Sequence, residues 1–402
     1  VVKAKGRAKE DSEPNSASFL PEGSGHTVAA CLILVLAFSL FLRSSAPTVT
    51  AGDSGELLCA AATAGVPHPP GYPLWMLVNK CLMTAIPLGS MGFRGALSSA
   101  LAGAIACSLL TSFVTRSLAS VSFGILAGLT LMVSKTMWDQ SAVAEVYPIN
   151  VAVSACLAAV ALQSSTRRTL AAFSILLGLG LANHHTVVLA AVPLGLLGLS
   201  TLADKRKLPR FILYWASFGL IGLAAYVAMV IRSNGHPPMN WGVPNDLEGA
   251  MLHVLRKQYG TPWAGERTLS LSLLQLRSFV DSVANQWTVY LLWLIPVGWI
   301  EIWRRSKAHA SAFLGVVLLS GPGLVLLLNP ELEREALEAV SVFYIPSQLM
   351  LAAFIAVGLG VCIQRGVVPT ILGLKEVAGS KKTLHWIPAL LLLLPFSRNS
   401  EL

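Results

Sequence analysis

Long apolar runs broken by short polar stretches dominate this chain. They mark eleven candidate spans, at about 28–42, 95–114, 117–134, 148–163, 170–182, 187–203, 211–231, 284–303, 311–328, 341–363 and 384–396. Several are shorter than the roughly 20 residues a helix needs to cross a bilayer, so their bounds are loose. The pair 170–182 and 187–203 can equally form a re-entrant hairpin. A further apolar stretch, 73–88, carries Asn79 and Lys80 in its middle and reads as an interfacial helix on the outer face rather than a span. Residues 1–27 are polar, with four Lys or Arg before Glu10, and read as a disordered cytoplasmic tail. The remainder, 28–402, reads as one all-α polytopic membrane domain.

Composition excludes the soluble alternative. Of 402 residues, 54% are hydrophobic and only 12% charged, against about 25% charged in soluble proteins. The net charge of +9 is then a statement about topology. With the N-terminus in the cytoplasm, 18 of the 29 Lys and Arg fall inside, while 13 of the 20 Asp and Glu fall outside, as the positive-inside rule demands. No basic run with interleaved aromatics occurs, so no nucleic-acid partner is expected. The six cysteines show no CxxC and no metal-ligand spacing, so no metal site is expected. Cys59 and Cys81 flank one polar loop, where the sequence leaves a disulfide open. The chain starts with Val and stops just after an apolar run, as a fragment would.

The long polar stretches all fall on the outer side: 43–94, 135–147, 232–283 and 329–340. In the first, APTVTAGDSGELLCAAATAGVPHPPGYPLW (46–75), Asp53 and Glu56 stand three apart between glycines. Asp53 is either a helix N-cap or a base whose carboxylate shares a helix face with Glu56. HPPGYP (68–73) follows, a rigid turn that holds His68 and Tyr72 over a site or merely joins two interfacial helices. The second loop adds Trp138, Asp139, Glu145 and Tyr147. Glu145, at the start of a span, is a functional group or an interfacial anchor. Asn183-His184-His185-Thr186 lies between two short apolar runs and is either an interfacial polar turn or a functional element, in which adjacent histidines suit phosphate or substrate contact better than one shared metal ion. The long loop holds Arg256 and Lys257 beside Tyr259 and Trp263, a pairing that binds an anionic headgroup or snorkels. The glutamate-rich stretch 329–347 reads as a solvated helix face with no chemistry. Acids, histidines and cations so gathered at one membrane face suit an acid–base reaction in which a lipid-linked phosphate leaves and a hydroxyl attacks a sugar.

At GDSGELLCAAATAGVPHPPGYPLWMLVNK (52–80) the sequence resembles the GT-C-type membrane glycosyltransferases that include the transmembrane protein O-mannosyltransferases of the endoplasmic reticulum. WDQSAVAEVYPIN (138–150), GLGLANHHT (178–186) and NWG…LRKQYGT (240–261) resemble the same family, in order, over about 30–265; the last third matches in hydropathy alone. The resemblance implies a bundle of about eleven transmembrane helices with luminal interfacial helices. Its first luminal catalytic loop would be 43–94 and its long luminal loop 232–283. It implies an inverting transfer of mannose from dolichyl-phosphate mannose, a substrate rather than a cofactor, to Ser/Thr hydroxyls. The implied acceptors are IPT domains of plexin and hepatocyte-growth-factor-type receptors. Asp53 matches the family's catalytic acid, with Glu56 beside it, and Glu145 or Asp139 its second acid. His68, Tyr72, Tyr147, His184, His185, Arg256 and Tyr259 would line the donor and substrate pocket. Animal members continue into a luminal C-terminal region that a chain ending at Leu402 would lack. The rival readings are a transporter or flippase for a lipid-linked sugar, which would carry ionisable groups in mid-span, and a membrane scaffold.

Overall fold

The computed structural model describes residues 24–366, apart from 164–165, 202–205, 207–208, 210–211, 214–215, 218, 221–223 and 261–266. Most of the expected N-terminal tail, part of the span at 211–231 and the whole span at 384–396 lie outside the described residues. Within them the chain is helical, its only extended pairing being one bridge between Val66 and Asn240.

Helix α1 (Ser24–Arg43) packs along α4 (Met91–Leu118), which also carries α5 (Val121–Met132) and α7 (Tyr147–Ala161). The reason is legible in α4. Gly95, Ser98, Ser99, Ala100, Ala102, Gly103, Ala104 and Ala106 are all buried, and small side chains let helix backbones approach where lipid supplies no hydrophobic drive. The first polar loop folds back over this bundle as α2 (Ser54–Thr63) and α3 (Pro73–Ala85). The second contains the short α6 (Lys135–Ser141), bent by 66° from α5. Helices α8 (Arg167–Leu181) and α9 (Val187–Ser200) follow, and α10 (Ala225–Asn234) and α11 (Leu247–Val254) lie in the third polar region.

Four described helical segments are long and apolar enough to cross a membrane, or five if the bent pair α5–α6 counts as one span. The chain is thus a multi-pass membrane protein. The expected span 284–303 is broken: α12 (Leu269–Trp287) ends at Thr288, whose φ is +108°, and α13 (Leu294–Arg305) starts anew. Much of α12 was expected to be loop. Its amphipathic sequence, LSLSLLQLRSFVDSVANQW, makes a helix that half-buries itself instead. It is pinned by Gln286, which accepts from the Thr136 N–H and donates to its hydroxyl, both at 2.8 Å, and by Trp287 Nε1–H on the Thr130 carbonyl. Beyond it, α14 (Lys307–Leu318) runs through a π turn at Leu319–Gly323 into α15 (Leu324–Leu328). Pro322, with no N–H to give, sits in that turn. The exposed α16 (Arg334–Ser341) leads to α17 (Ile345–Gln364), buried from Ile345 to Ile363 at the centre of the second half. Cys59 and Cys81 are both free and exposed, so the disulfide left open above is not formed.

Helices α13 and α17 cross at two glycines. A Cβ on Gly298 would enter the Phe354 carbonyl, and one on Gly358 the Leu294 carbonyl. Gly358→Leu should therefore lower the thermal unfolding midpoint in detergent by several degrees, since overpacking costs about 1–3 kcal/mol. Gly25→Ala, with nothing within 4 Å of the added carbon, should leave it unchanged. Equal midpoints for both variants would show that this crossing does not limit stability.

Candidate active site

The first polar loop is held by two cations, one of its own and one from α10. Lys80 Nζ donates to the Ala62 carbonyl at 2.6 Å and Arg232 Nε to the Ala64 carbonyl at 2.7 Å. Both cations satisfy carbonyls at the C-terminal end of α2, where the helix dipole favours them. At the other end Asp53 occupies the N-cap position, yet its carboxylate makes no capping hydrogen bond and is half-exposed. The cap reading of Asp53 therefore leaves its side chain unused. Glu56, one turn on, reaches the HPPGYP turn. Its two oxygens accept from the backbone N–H of His68 and from His68 Nδ1, the latter at 3.0 Å. Burial pushes the Glu56 carboxyl up, but the two hydrogen bonds and the charge of His68 outweigh it and hold it below the ordinary value.

With Glu56 ionised, Nδ1–H of His68 donates to it, leaving Nε2 to face Tyr72 and Asp53. The Tyr72 hydroxyl lies at 2.8 Å and the nearer Asp53 oxygen at 3.7 Å. Burial keeps the Tyr72 phenol protonated well above its ordinary range, although the nearby Arg256 charge opposes this. The turn needs a left-handed residue at Gly71 (φ +91°). Any side chain there would meet Met229 Sδ at 2.6 Å and crowd His253. Tyr72 itself takes φ +43° to start α3.

The second loop delivers Glu145. Its carbonyl accepts from Trp75 Nε1–H at 2.9 Å and from the Ser99 hydroxyl at 3.1 Å, and its N–H donates to the same Ser99 oxygen. Asn183 Nδ2 holds the next carbonyl, of Val146, at 2.9 Å. Glu145 is 8% exposed, and its carboxylate accepts from the Val146 N–H at 3.3 Å. Burial first, then the Asp53 charge, raises it to about 8. Asp139, by contrast, is engaged by Lys135 at 2.7 Å one turn away, and no contact ties it to the cluster. Both are half-exposed, so this pair contributes little.

His184 is buried against aromatic rings. Tyr72 lies nearly parallel at 6.0 Å, Tyr147 is tilted at 5.5 Å and Phe343 lies at 5.3 Å. Phe343 comes from the stretch 329–347, read above as a solvated helix face with no chemistry, and contributes a packing contact. Helix α16 does present a solvated face with no buried residue, but the 3-10 turn Val342–Tyr344 after it carries the ring inward. His185 lies 3.5 Å from the Tyr226 hydroxyl. Burial, then the Arg256 charge, lowers it to about 4.

The third polar region closes over the first. Val66 N–H donates to the Met239 carbonyl and Trp241 N–H to the Val66 carbonyl, at 2.8 and 2.9 Å. This sets Trp241 edge-on to His68 at 6.3 Å. His253 Nε2–H donates to the Pro67 carbonyl at 3.1 Å. Burial lowers its pKa to about 4, while that hydrogen bond pulls the other way. Arg256 takes a left-handed conformation (φ +56°) and lies 4.9 Å over the Tyr259 ring, a cation–π contact that braces it at the rim. Its charge is felt by Tyr72, His184, His185 and His253. Trp75, Ser99, Trp241, His253 and Phe343 were not singled out in the sequence. Trp75 and Trp241 nevertheless stand inside the motifs at 52–80 and 240–261.

Asp53, Glu56 and His68 also bring ligand atoms within 4.8 Å of one another, close enough to hold a metal ion. Both ring nitrogens of His68 and both oxygens of Glu56 already have partners, however. A cation would have to displace those hydrogen bonds.

Comparison with known proteins agrees with the motifs. Residues 53–207 match the family model described as protein O-mannosyl-transferase TMEM260 N-terminal domain. The chain is 35% identical over 246 residues to mouse protein O-mannosyl-transferase TMEM260, covering 58% of this chain and 34% of that one. It is 27% identical over 260 residues to the Dictyostelium discoideum protein of the same name, covering 58% and 31%. The chain thus spans about a third of the length of the curated relatives it matches. Among solved structures, ArnT from Cupriavidus metallidurans in the apo state superposes with a TM-score of 0.58 over 84% of this chain and 60% of that one, at 14% identity. Its form bound to undecaprenyl phosphate gives 0.57 over 87% and 65%. At that identity the likeness concerns the fold alone, which is that of the GT-C membrane glycosyltransferases. The resemblance read from the motifs to the GT-C-type protein O-mannosyltransferases is borne out.

The buried Glu145 gives a pH signature. Its carboxyl keeps a proton to about pH 8 in the fold but only to its ordinary 4.5 when unfolded. Between those values the folded state binds the extra proton, so stability falls as pH rises. His185 and His253, lowered from 6.5 to about 4, act in the opposite sense but only below pH 6.5. The unfolding midpoint should thus decline from pH 6.5 to 8 in the wild type and stay level in Glu145→Gln. Parallel declines in both would place the titration elsewhere.

Proposed function

We propose that this chain is the catalytic membrane portion of an inverting protein O-mannosyltransferase of the endoplasmic reticulum. It takes mannose from dolichyl-phosphate mannose and passes it, at the luminal face, to Ser/Thr hydroxyls of IPT domains in plexin and hepatocyte-growth-factor-type receptors. The observation that carries this reading is the Asp53 carboxylate. It is half-exposed, uses none of its capping potential, and stands 3.7 Å from a His68 that Glu56 holds in place. An available carboxylate at the mouth of such a cluster suits a general base. The names of the matching relatives, both protein O-mannosyl-transferases, support the reaction class. The ArnT structure bound to undecaprenyl phosphate supports a lipid-linked donor.

In this mechanism Asp53 takes the proton of the acceptor hydroxyl as its oxygen bonds to the anomeric carbon. The bond from that carbon to the phosphate oxygen breaks on the opposite face, and the lipid phosphate departs with the electron pair. Arg256, braced on Tyr259, offsets the charge of that phosphate. Glu56 positions His68. His68 and Tyr72, with Glu145, Tyr147, His184 and His185, shape the pocket for donor and sugar, and Asp139 stands outside this cluster. The mechanism draws on no metal, since a cation at Asp53, Glu56 and His68 would have to displace the hydrogen bonds of His68 and Glu56. A flippase would draw on ionisable groups in mid-span, whereas every ionisable group in this cluster stands on a loop or near a helix end.

Asp53→Asn should reduce mannose transfer from dolichyl-phosphate mannose to a receptor IPT domain by at least about a hundredfold, the scale of general-base catalysis. The folded, inserted state should be preserved. Arg256→Ala should weaken the apparent donor affinity about tenfold with little effect on the acceptor. EDTA should leave transfer unchanged. Mass spectrometry of the acceptor provides the readout; near-normal transfer by Asp53→Asn would sink the assignment.

A further inference from the structure

Several buried polar atoms of this cluster, among them Asn150 Oδ1, Asn183 Oδ1 and His184 Nε2, lack a hydrogen-bond partner among the described residues, and the histidine nitrogen is the one whose role can be fixed. His184 is 4% exposed, and its Nε2 has no hydrogen-bond partner among the described residues. Its other ring nitrogen is doubly engaged. Nδ1 lies 2.8 Å from the Thr186 hydroxyl and 3.3 Å from the Thr186 backbone N–H. A backbone N–H can only donate, so Nδ1 is the acceptor nitrogen and Nε2 carries the hydrogen. Asn150 reinforces this, since its Nδ2 donates to the same Thr186 hydroxyl at 2.9 Å and leaves that hydroxyl's proton free for Nδ1. Burial, then the Arg256 charge, holds the ring neutral, with its pKa well below the ordinary value. The three neighbouring aromatic rings fix the imidazole plane. His184 is thus a neutral N–H donor, locked in tautomer and direction and buried without an acceptor. Native proteins rarely leave such a group unmatched.

The acceptor it awaits follows from its surroundings. Arg256 is the foremost charge acting on His184, while Asp53 and Glu145 act on the neighbouring Tyr72, so it is the field of Arg256 that favours an anion beside Nε2. An anionic oxygen satisfies both the donor and the field. We propose that His184 Nε2–H donates to an oxygen of the phosphate that leaves during transfer, with Thr186 and Asn150 as the positioning residues that set its tautomer. This rests on the transferase reading above. No proton moves from His184. Its hydrogen bond strengthens as negative charge collects on the departing phosphate, so it favours the transition state over the ground state. Remaining neutral, it does not hold the product phosphate as a second fixed cation would. Phe343, from a stretch beyond the matched residues 53–207, belongs to this subsite because it completes the aromatic enclosure of the ring.

The test is phosphate binding, which does not require turnover. The purified full chain in nanodiscs is titrated with dolichyl phosphate, with dolichol, and with inorganic phosphate as competitor. Wild type should prefer dolichyl phosphate to dolichol by at least tenfold. His184→Phe should lose about tenfold of that preference, as expected for one hydrogen bond to a charged group. His184→Gln, whose amide nitrogen can replace Nε2, should stay within about threefold of wild type. Competition by inorganic phosphate would mark the phosphate group alone as sufficient, and its failure would mark the lipid as required; both keep the site. Should His184→Phe not fold, 15N spectra of histidine-labelled wild type give the answer. The His184 signals, assigned by their loss in His184→Gln, should report protonated Nε2 and shift on addition of dolichyl phosphate. An Nδ1-protonated ring, unshifted signals, or wild-type binding by His184→Phe would overturn the proposal. Intact His184-dependent binding with undiminished transfer by Asp53→Asn would instead sink the base assignment and leave this inference standing.

Discussion

The contact on which the site depends is the grip of Glu56 on His68. One carboxylate takes both the backbone N–H and the ring Nδ1 of the same residue, so it fixes the turn and the orientation of the ring together. Helix α2 is thereby tied to the HPPGYP turn, and the turn to α3. His68 Nε2 then has one direction to face, towards the Tyr72 hydroxyl and Asp53. The grip also divides the two acids of the first motif, for Glu56 is engaged internally and Asp53 is left available.

Around that centre, backbone hydrogen bonds rather than side-chain ion pairs join the loops. The Glu145 main chain is held by Trp75 and Ser99, and the Val146 carbonyl by Asn183. His253 reaches the Pro67 carbonyl, and Met239 and Trp241 pair with Val66. Polar loops at a membrane boundary have little water to satisfy them, so each carbonyl taken up this way removes a desolvation penalty. The result is a set of loops tied to one another and to the helices beside them. It leaves the ionisable groups in contrasting states: an ionised Glu56, a protonated buried Glu145 and neutral histidines at 184, 185 and 253. Such divergence among neighbouring groups is the usual mark of a site that handles protons and charge.

Some of this was legible in the chain. Membrane residence followed from the scarcity of charge, and the first motif located the loop on which Asp53, Glu56, His68 and Tyr72 come together. His184 and Tyr147 were found because polar groups between apolar runs are conspicuous. Other features were hidden for definite reasons. Phe343 looks like any apolar residue at the start of a span, and only the turn after α16 brings it to His184. Trp75 and Ser99 act through a backbone carbonyl, which carries no sequence mark. The break at Thr288 falls inside an apolar run, where hydropathy cannot tell one long helix from two.

What the sequence by itself determined is the class of protein, the side of the map on which polar groups gather, and the residue types available for chemistry. These depend on composition and local order, which a chain carries without folding. The tertiary structure decided which of those groups meet. Asp139 and Glu145 stand close together in one motif and look alike. Folding sends one to a half-exposed pair with Lys135 and buries the other beside Asp53, because Trp75 and Ser99 claim the Glu145 backbone from helices distant in sequence. The same holds for His184. Its letter in the sequence offers two nitrogens and two tautomers, and only the placement of Thr186 and Asn150 leaves one N–H free.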